Sequence, residues 1–524
     1  AAAHPGDTVR IHEGTYREWV KPVRTGRGEG RRIVFEAAPG EARPVITGSE
    51  PVSDWENVGG TTWRATVPNS LFGDWNPFDI EVEGDWTVYA DRATPRKHLG
   101  EVYLNGVSFY EVVSREAVDA PERRTEDYDR WTGVAEAVRR PDQTLYVWYA
   151  EVGDTETTVW ANFQGADPRR ELVEINVRRS VFFPEVHHVN DITVRGLELC
   201  QAATPWAPPT ADQPGLIGPN WARGWVIEDC NIHDAACSAV SLSKEGSSGD
   251  NWAAERLDKP GYQYQLEAVY SALRTGWSKD LIGSHVVRRN HIHDCGQNGV
   301  VGHLGCVFST IEDNHIHHIA TKHEFYGYEI AGIKLHAAID TVIAHNLIED
   351  CTLGVWLDWQ AQGSRVTRNV MRDNARDLFN GHPHSVEAYL AQVNDPSKGD
   401  HERFEGVALP VLIRANAYGN RAPAYDEETD PVHLGEATAR LETDGEAVYL
   451  VTRLPETFAA ARLRPVTGAE LGRAWYPDQV FDNPDGTALV VDVDLLGRVK
   501  DHETLYPAGP LADLSAGQAR VRVW

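Results

Sequence analysis

The feature that most constrains the fold is a phrase that the chain repeats between Gly332 and Asn374. The first copy reads GIKLHAAIDTVIAHNLIED, and the second reads LGVWLDWQAQGSRVTRNVMRDN. Self-similarity at a period of roughly 20 to 30 residues marks a solenoid, because one copy is too small to bury its own apolar face. The second copy carries an aspartate, Asp358, which we predict to be exposed and catalytic.

A column of asparagines extends the repeat beyond these two copies. The phrase recurs at Asn231, Asn290, Asn314, Asn346 and Asn369, and the three steps between the last four asparagines are 24, 32 and 23 residues. The 59 residues from Asn231 to Asn290 predict two coils plus an insertion. Asparagine tolerates left-handed backbone at tight corners and bonds nearby backbone groups. We therefore interpret the column as scaffold.

Within each copy the apolar runs are short, rich in Val and Ile, and alternate. Ile333 and Leu335 are predicted to point inward, and Lys334 and His336 outward, which is strand periodicity. No run of helical period and helical length lies between the copies. Three short strands per coil, stacked in parallel, predict an all-β chain built on a right-handed parallel β-helix.

Cysteine usage indicates core packing rather than crosslinking. The chain of 524 residues has six cysteines, and no CxxC pair suggests a disulfide framework or a structural zinc site. Three cysteines follow the asparagines at a similar distance and are predicted to stack as small core residues, namely Cys237, Cys295 and Cys351. The NHIH phrases are assigned to the corner column, where stacking is favoured over zinc binding.

Charge and aromatic content limit the classes of ligand that the chain could bind. The net charge of −28 makes nucleic acid an improbable ligand and favours a neutral one. The chain has 17 Trp and 18 Tyr, which offer flat faces for stacking on sugar rings. No apolar stretch approaches the length of a membrane span. The sequence opens with AAAHPGDTV, without a signal peptide, so the compartment is undetermined and a cytoplasmic one is favoured.

The chain divides into four predicted parts. Residues 1–50 are assigned to N-terminal β-helix coils, 51–170 to an inserted antiparallel β-sandwich, 171–421 to the main β-helix body, and 422–524 to a C-terminal antiparallel β element packed on the solenoid. The sandwich is predicted from strands such as GEVYLNGVSFYEV, whose LNG turn is a hairpin signal. The C-terminal element is expected to protect the open end of the solenoid.

Aligning the copies predicts a polar face on one column of strands. Gly299, Gly332 and Gly354 begin the column. Two outward rows follow from it, one of Val301, Lys334 and Trp356 and one of His303, His336 and Asp358. Adjacent rungs lie about 4.8 Å apart, so these side chains are predicted to be in contact, with Trp359 beside them. The mixture is typical of a sugar site, although outward solenoid residues are also often a plain solvated surface.

Glu329 precedes the Gly332 strand and is predicted to enter the same edge of this face, one coil below Asp358. The alternative is an exposed loop glutamate. Retaining glycoside hydrolysis needs two carboxyl groups about 5 to 5.5 Å apart, whereas inversion needs about 6.5 to 9.5 Å. Adjacent rungs supply the shorter distance, and a retaining partner for Asp358 is expected on the next coil, near residue 381.

The sequence resembles glycoside hydrolase family 120, the β-xylosidases, over nearly its whole length. The resemblance is carried by HPGDTVRIHEGTYREWV, WLDWQAQGSRVTRN, DNARDLF, PHSVE and FDNPDGTALVVDVDLLG. The WLDW and DNPDG contexts are specific, whereas a β-helix alone is shared by many lyases and hydrolases. The resemblance implies that Asp358, in WLDW, is the nucleophile. It also implies that Glu329 binds the sugar in the −1 subsite.

One position departs from the family pattern. The resemblance implies an acid/base glutamate in the phrase DLF-x-E, and here the phrase reads DLFNG, with Gly381 at the acid position. Two joins are short relative to the family, after Phe379 and near Phe404. Either the chain has lost this segment or residues are missing from the sequence at these joins. Glu387, in PHSVE, is the nearest replacement for the acid/base.

Together with these observations, the family resemblance implies a retaining, exo-acting glycoside hydrolase that releases xylose from the non-reducing end of β-xylosides or xylo-oligosaccharides, as in xylan degradation. Lys334, His336, His303, Trp356, Trp359 and Glu329 are predicted to bind substrate, and a cation beside Asp358 favours its ionised form. No cofactor or catalytic metal is expected; a structural calcium and a homo-oligomer stay open. The alternatives are a β-helix polysaccharide lyase acting on uronates with Lys334 as base, and a non-catalytic carbohydrate-binding relative.

Overall fold

The computed structural model describes residues 3–89, 93–128, 133, 135–246, 253–275, 278–361, 363–380, 414–424, 428–474, 479–483 and 485–524. Within these residues the chain is a right-handed parallel β-helix that carries an inserted antiparallel β-sandwich. This confirms the predicted fold class. The coils form three parallel sheets, which we call sheets 1, 2 and 3 in the order in which one coil visits them.

Among the described residues, sheets 1 and 2 each contain eight strands. Sheet 1 consists of Thr8–Ile11, Ile33–Ala37, Ile192–Arg195, Val226–Glu228, Val286–Arg288, Thr310–Glu312, Val342–Ala344 and Arg365–Thr367. Sheet 2 consists of Thr15–Arg17, Val45–Thr47, Glu198–Ala202, Asn231–Ala235, His291–Cys295, His315–Ile319, Leu347–Glu349 and Val370–Arg372.

Sheet 3 is the sheet of the predicted polar face, and five of its strands fall in the part of the chain that the structure describes. Its strands are Ser238–Ser241, Asn298–His303, Ala331–His336, Leu353–Leu357 and Arg376–Asn380. An isolated parallel bridge joins Ile217 to Val240 and continues this side of the solenoid toward the N-terminal coils.

Ladders of identical apolar residues fill the interior. On sheet 2, Ile232, Ile292, Ile316 and Ile348 stack in register and are all fully buried. Each such side chain contributes about 1.5 to 3 kcal/mol by leaving water, and stacking removes the exposed faces that a single coil would leave. The three predicted core cysteines belong to the same buried cluster, which confirms that interpretation.

The asparagine column is scaffold, as predicted. Asn314 Oδ1 accepts hydrogen bonds from the backbone N and from Nδ2 of Asn290, both at 3.0 Å. Asn314 Nδ2 donates to Asn346 Oδ1 in turn. Two details were wrong. Asn231 pairs with His291, one residue beyond the ladder, and Cys230 takes the ladder position in that coil; the left-handed residue is the one before each ladder position and not the asparagine itself. These corner residues have φ between 53° and 57°, and they are Asp229, Arg289, Asp313, His345 and Arg368.

The long step between Asn231 and Asn290 contains one coil and not two. Strand Asn231–Ala235 pairs directly with His291–Cys295, so the coils are consecutive and the extra residues leave the solenoid. They include helices Ala253–Arg256 and Gly261–Thr275. The expectation that no run of helical length interrupts the coils was therefore wrong. Both helices lie outside the repeat, where the periodicity of the coils gives no information about secondary structure.

The inserted sandwich packs two sheets around an aromatic core that includes Trp55, Phe109 and Phe163. One sheet contains Glu56–Gly59, Thr62–Pro68, Tyr110–Glu111, Val147–Val152 and Glu156–Asn162, and the other contains Ser49–Pro51, Val102–Leu104, Val107–Ser108 and Val173–Asn176. The pairing is antiparallel except between Tyr110–Glu111 and Val147–Val152. Ser49–Pro51 and Val173–Asn176 pair with each other, so the chain leaves and re-enters the solenoid at adjacent strands.

Smaller elements complete the inserted region. Strands Glu126–Tyr128 and Ala135–Ala137 form a hairpin, Arg115–Asp119 is a short α-helix, and Asn69–Leu71 and Pro141–Leu145 are 3-10 turns. Strand Thr87–Val88 pairs antiparallel with Tyr326–Gly327 of the solenoid. This last pair connects the inserted domain directly to the residues before Glu329.

The C-terminal element is an antiparallel sheet of Thr438–Asp444, Ala447–Leu454 and Gly517–Arg522. It lies against the flank of sheet 2, because outward-facing Leu347 and Val370 join its core with Leu434 and Val448. Other elements are the strands Ala417–Gly419, Val432–Gly435, Arg462–Leu463, Val466–Thr467, Arg473–Ala474, Gln479–Val480, Val490–Val491 and Tyr506–Pro507, helix Gly468–Leu471, and the 3-10 turns Glu29–Arg31 and Glu456–Ala460. Among the described residues, no helix combines the length and apolar character needed to cross a membrane.

Candidate active site

The register of sheet 3 brings the predicted polar residues together. Val301 pairs with Lys334 and His303 with His336, and Lys334 pairs with Trp356. Asp358 follows directly after the paired strand, and its backbone N donates to Leu335 O at 2.8 Å. Both predicted rows therefore exist. We call the outward residues of these strands, together with Glu329, the carboxylate face.

The carboxylate face is buried, whereas the sequence predicts an exposed one. The exposed fraction is 5% for Asp358, 0% for Lys334 and 3% for Glu329. The prediction of an exposed Asp358 was wrong because segments outside the repeat cover this face. The same burial excludes the alternatives of a solvated surface and of an exposed loop glutamate.

The inserted domain supplies one of the covering segments. Tyr328 N donates to Trp86 O at 2.9 Å, beside the strand pair Thr87–Val88 and Tyr326–Gly327. Tyr328 O in turn accepts a hydrogen bond from Lys334 Nζ at 3.2 Å. The inserted domain thus fixes the loop that approaches the ammonium group.

Asp358 is held at both oxygens. Lys334 Nζ lies 2.5 Å from Oδ2, and the backbone N of Trp359 donates to Oδ1 at 2.8 Å. The Lys334 ammonium also lies 3.1 Å from the ring centroid of Trp356, an attractive cation–π contact. The hydrogen bond between Lys334 and Asp358 is charge-assisted, and such bonds are shorter and stronger than neutral ones. The carboxylate is therefore rigidly oriented by its own strand and the neighbouring strand.

Glu329 is the second carboxyl group of the face. Its Oε2 accepts from His336 Nε2 at 2.9 Å and lies 3.6 Å from Lys334 Nζ. Burial raises the pKa of Glu329 to about 7; Lys334 opposes this shift, and Asp85 adds to it. One buried ammonium cannot balance two buried carboxylates, and the closer contact belongs to Asp358. Of the two carboxyl groups, Glu329 is therefore the one whose environment favours the protonated form.

His336 links Glu329 to the helix outside the repeat. Gln265 Nε2 donates to His336 Nδ1 at 3.2 Å, so the imidazole proton lies on Nε2 and is donated to Glu329. Burial, assisted by the Lys334 ammonium, lowers the pKa of His336 to about 3, although Asp358 acts in the opposite direction. His336 is thus a neutral donor that fixes one oxygen of Glu329.

His303 forms the adjoining wall. Its ring centroid lies 5.7 Å from that of His336, and its Nδ1 donates to Pro209 O at 3.0 Å. Burial keeps the pKa of His303 well below its usual range. Among the described residues, Nε2 of His303 has no hydrogen-bond partner, which leaves an acceptor suited to a hydroxyl group.

The two tryptophans differ from the predicted role of open stacking faces. Trp356 and Trp359 are 4% and 6% exposed. The face of Trp356 toward Lys334 is occupied by the ammonium group, and Trp359 holds Asp358 through its backbone. Neither of these two tryptophans therefore presents an exposed ring face on which a sugar could stack.

Sequence reasoning missed two residues that support the face: Asp85 of the inserted domain, and Gln297 at the turn between strands His291–Cys295 and Asn298–His303. Asp85 is buried and accepts from Thr210 Oγ1 at 2.5 Å and from Ala253 N at 3.0 Å. Gln297 Nε2 donates to Glu329 O at 2.9 Å and fixes the backbone of the glutamate. The predicted insertion at 51–170 and the 59-residue gap between coils indicated that insertions existed, but neither gave a register for these contacts.

The predicted acid/base positions lie outside the described residues. The last described pair of sheet 3 is Leu357 with Asn380, and Gly381 and Glu387 follow it. The segment near Phe404 also lies outside. The assignment of Glu387 as the acid/base therefore stays a prediction.

The face has the donor set of a metal site but already holds a cation. One ligand atom each from Glu329, His336 and Asp358 lie within 4.8 Å of one another. The Lys334 ammonium contacts both carboxyl groups of this set. A divalent ion would have to displace a buried ammonium, so the residues fit an ion-paired carboxyl site rather than a metal centre.

Comparisons with known proteins agree with this description. The family model for the insertion domain of glycoside hydrolase 120 matches residues 52–175. A solved structure described as the complex of XylC with xylose is 44% identical, covers 100% of this chain and 96% of its own chain, and has a TM-score of 0.91. No curated protein matches the chain.

Proposed function

The chain belongs to glycoside hydrolase family 120, and we propose that it is a retaining, exo-acting β-xylosidase. It releases xylose from the non-reducing end of β-xylosides or xylo-oligosaccharides through a covalent xylosyl-aspartate. The similar XylC structure holds xylose, which supports a pentose as the bound sugar. The buried face accepts a small neutral ligand more readily than a polyanion, because two carboxyl groups and one ammonium leave no excess of positive charge.

The observation that carries the proposal is the carboxyl pair. Oxygens of Asp358 and Glu329 lie within 4.8 Å of each other, on either side of the Lys334 ammonium. This spacing supports retention, which uses carboxyl groups about 5 to 5.5 Å apart, over inversion, which needs about 6.5 to 9.5 Å. The two groups also differ in environment as the mechanism requires: Asp358 has the shorter contact with the Lys334 ammonium, and Glu329 has the raised pKa that suits a general acid.

The two chemical steps use the two groups in turn. An oxygen of Asp358 bonds to the anomeric carbon while the glycosidic C–O bond breaks, and the leaving oxygen takes the proton of Glu329. Water then gives a proton to Glu329 and its oxygen bonds to the anomeric carbon, which frees Asp358. The family resemblance assigns Glu329 to sugar binding in the −1 subsite, and its raised pKa supports proton transfer as well.

Glu387 is the competing acid/base. Glu329 is favoured because its raised pKa suits a general acid; its Oε2 accepts from His336, and Oε1 is left to carry the proton. The two assignments differ in which Glu→Gln variant loses proton transfer. An intact mass above 58.2 kDa would show that residues are missing from the sequence and would reopen the position of Gly381.

The remaining predicted residues are assigned by their contacts. Lys334 orients Asp358 and His336 orients Glu329. His303 offers its Nε2 to a sugar hydroxyl. Trp356 and Trp359 support Lys334 and Asp358 rather than stack on the sugar. A structural calcium and a homo-oligomer stay predictions.

The two alternative functions, a polysaccharide lyase and a non-catalytic sugar-binding protein, require different properties of the site. A lyase needs an uncharged lysine as base, whereas Lys334 is paired with Asp358 at 2.5 Å and the family is one of hydrolases. A non-catalytic relative would bind xylose without turnover.

The test is the anomer released first. Nuclear magnetic resonance of an aryl β-xyloside reaction should show β-xylose before mutarotation. Release of α-xylose first would contradict retention, and an unsaturated product absorbing in the ultraviolet would identify a lyase. Xylose binding without release of the aryl group would identify a binding protein.

A further inference from the structure

A second outward face of the solenoid is lined with imidazoles. The outer side of sheet 2, which we call the histidine face, carries His233, His291, His293, His315 and His317. The sequence interpretation placed the NHIH phrases at a corner, but these histidines lie within strands and alternate with buried isoleucines. They are therefore aligned by strand register on one surface.

Three of these histidines converge. His315 and His317 are two residues apart on one strand, so their side chains share a side of the sheet. His291 is the direct parallel partner of His315 on the adjacent strand. One ring nitrogen from each of the three lies within 4.8 Å of the others. A His-x-His pair on a strand with a third histidine from its neighbour is a compact set of three nitrogen donors.

The closest contact shows that one ring nitrogen of this cluster presents a lone pair to its neighbour. His291 Nε2 lies 2.6 Å from His317 Nε2. A hydrogen bond between two ring nitrogens uses the proton of one ring and the lone pair of the other, so at least one ring is neutral here. Tetrahedral ligands about 2.0 to 2.1 Å from a zinc ion are roughly 3.3 Å apart. A small rotation of the rings reaches that spacing.

A carboxylate lies where it can orient one of the ligands. His315 Nε2 lies 2.9 Å from Glu349 Oε1, and Arg372 contacts the same carboxylate. Metal-bound histidines commonly donate their second ring N–H to a carboxylate, which fixes the tautomer. This contact leaves Nδ1 of His315 as the donor atom for an ion.

We propose that His291, His315 and His317 form a binding site for a divalent transition metal that bridges two adjacent coils of the solenoid. Three imidazoles suit Zn²⁺ or its neighbours Co²⁺, Ni²⁺ and Cu²⁺, whereas Ca²⁺ and Mg²⁺ prefer oxygen ligands. The fourth position is open to water, since these rings are only partly buried. The ion ties strand His291–Cys295 to strand His315–Ile319 and stabilises the fold.

The experiment uses the full chain after treatment with a chelator. Titration with Co²⁺ is followed by the visible absorption that a tetrahedral site gives, and Zn²⁺ binding is followed by calorimetry. The variant is His317→Ala, with His317→Gln as a second variant that keeps a polar side chain. The matched control is His345→Ala, a partly buried solenoid histidine outside the cluster that contacts the carboxylate of Asp313 and the ring of Trp524.

The proposal predicts one ion per chain, bound at least about 100-fold more weakly by both His317 variants and with unchanged affinity by the control. Zn²⁺ should raise the Tm of the wild type and of His345→Ala but not of the His317 variants. Equal binding by all four proteins would overturn the proposal. So would binding that survives in His317→Ala but is lost in Asp358→Asn, because the ion would then belong to the carboxylate face.

Discussion

The carboxylate face and the histidine face are built on the same coils with the same strand spacing, yet they differ in charge and in covering. On sheet 3, Lys334 lies between Asp358 and Glu329, and the inserted domain and helix Gly261–Thr275 contact the face. On sheet 2, imidazoles stack on imidazoles; His293 and His317 have ring centroids 5.0 Å apart. The solenoid sets the spacing of the side chains on both faces, and the residues outside the repeat determine which face is covered.

Burial acts on the two faces in opposite ways. On the carboxylate face it raises the pKa of Glu329 to about 7 and so keeps a proton ready for transfer. On the histidine face, burial and the surrounding imidazoles lower the pKa of His317 to about 2. The carboxylate face therefore has a carboxyl group that favours its protonated form, whereas the histidine face presents neutral nitrogen lone pairs.

The largest effect is expected at the nucleophile. Asp358→Asn removes the charge but keeps the shape and the contact with Trp359 N, so the fold should persist while kcat falls by about 10⁴-fold. Steady-state release of nitrophenol from an aryl β-xyloside measures it. Asp313→Asn, on a neighbouring coil, is the matched control and should keep full activity. Wild-type turnover by Asp358→Asn would exclude it as the nucleophile.

The next effect is expected at Glu329 and depends on the leaving group. Glu329→Gln should lower kcat/KM by about 10² to 10⁴-fold for alkyl xylosides and far less for dinitrophenyl xyloside, which leaves without a proton. Azide should restore turnover by replacing the activated water. Glu312→Gln on sheet 1 serves as the control. An equal loss on both substrates without azide rescue would leave Glu329 a sugar-binding residue and favour Glu387.

The pH profile sharpens the same assignment. Because the acid must hold its proton, wild-type kcat/KM should fall as pH rises through about 7, the pKa of Glu329, and Glu329→Gln should lack this limb. The pKa is raised in the folded chain, so the proton stabilises the fold at low pH and this contribution is lost as pH rises through about 7. Glu329→Gln should therefore gain stability relative to wild type at pH 8, as measured by urea unfolding.

A smaller effect is expected at the helix outside the repeat. Gln265→Ala removes the donor to His336 Nδ1, and the loss of about 1 kcal/mol corresponds to roughly a fivefold decrease in kcat/KM. Gln263→Ala, on the same helix but bonded to Glu267, is the control. If both variants behave like the wild type, the helix covers the face without orienting His336.

The smallest effect is expected on the other face. His293→Ala removes an imidazole from the histidine face, where His293 contacts Asp294 and Asn231. Aryl xyloside turnover should change by less than about twofold, since no contact joins His293 to the carboxylate face among the described residues. A large loss of activity would show that the two faces are coupled.

The sequence predicted the parts of the molecule that the repeat controls. The pairing of Lys334 with Trp356 and the stacking of the asparagines followed from period and alternation. The burial of Asp358 and the contact of Gln265 with His336 could not be predicted, because insertions without periodicity supply the covering residues. The prediction of an extra coil before Asn290 was wrong for the same reason, because a length of 59 residues does not distinguish coils from a helix.

The most direct test of the account is to trap the intermediate. A dinitrophenyl 2-deoxy-2-fluoro-β-xyloside has a reactive leaving group and a fluorine that slows hydrolysis of the xylosyl-enzyme. Mass spectrometry of the intact chain should show one added fluoroxylosyl group, and peptide sequencing should place it on Asp358. Labelling of another carboxylate, or inactivation that leaves Asp358 unmodified, would contradict the assignment of the nucleophile.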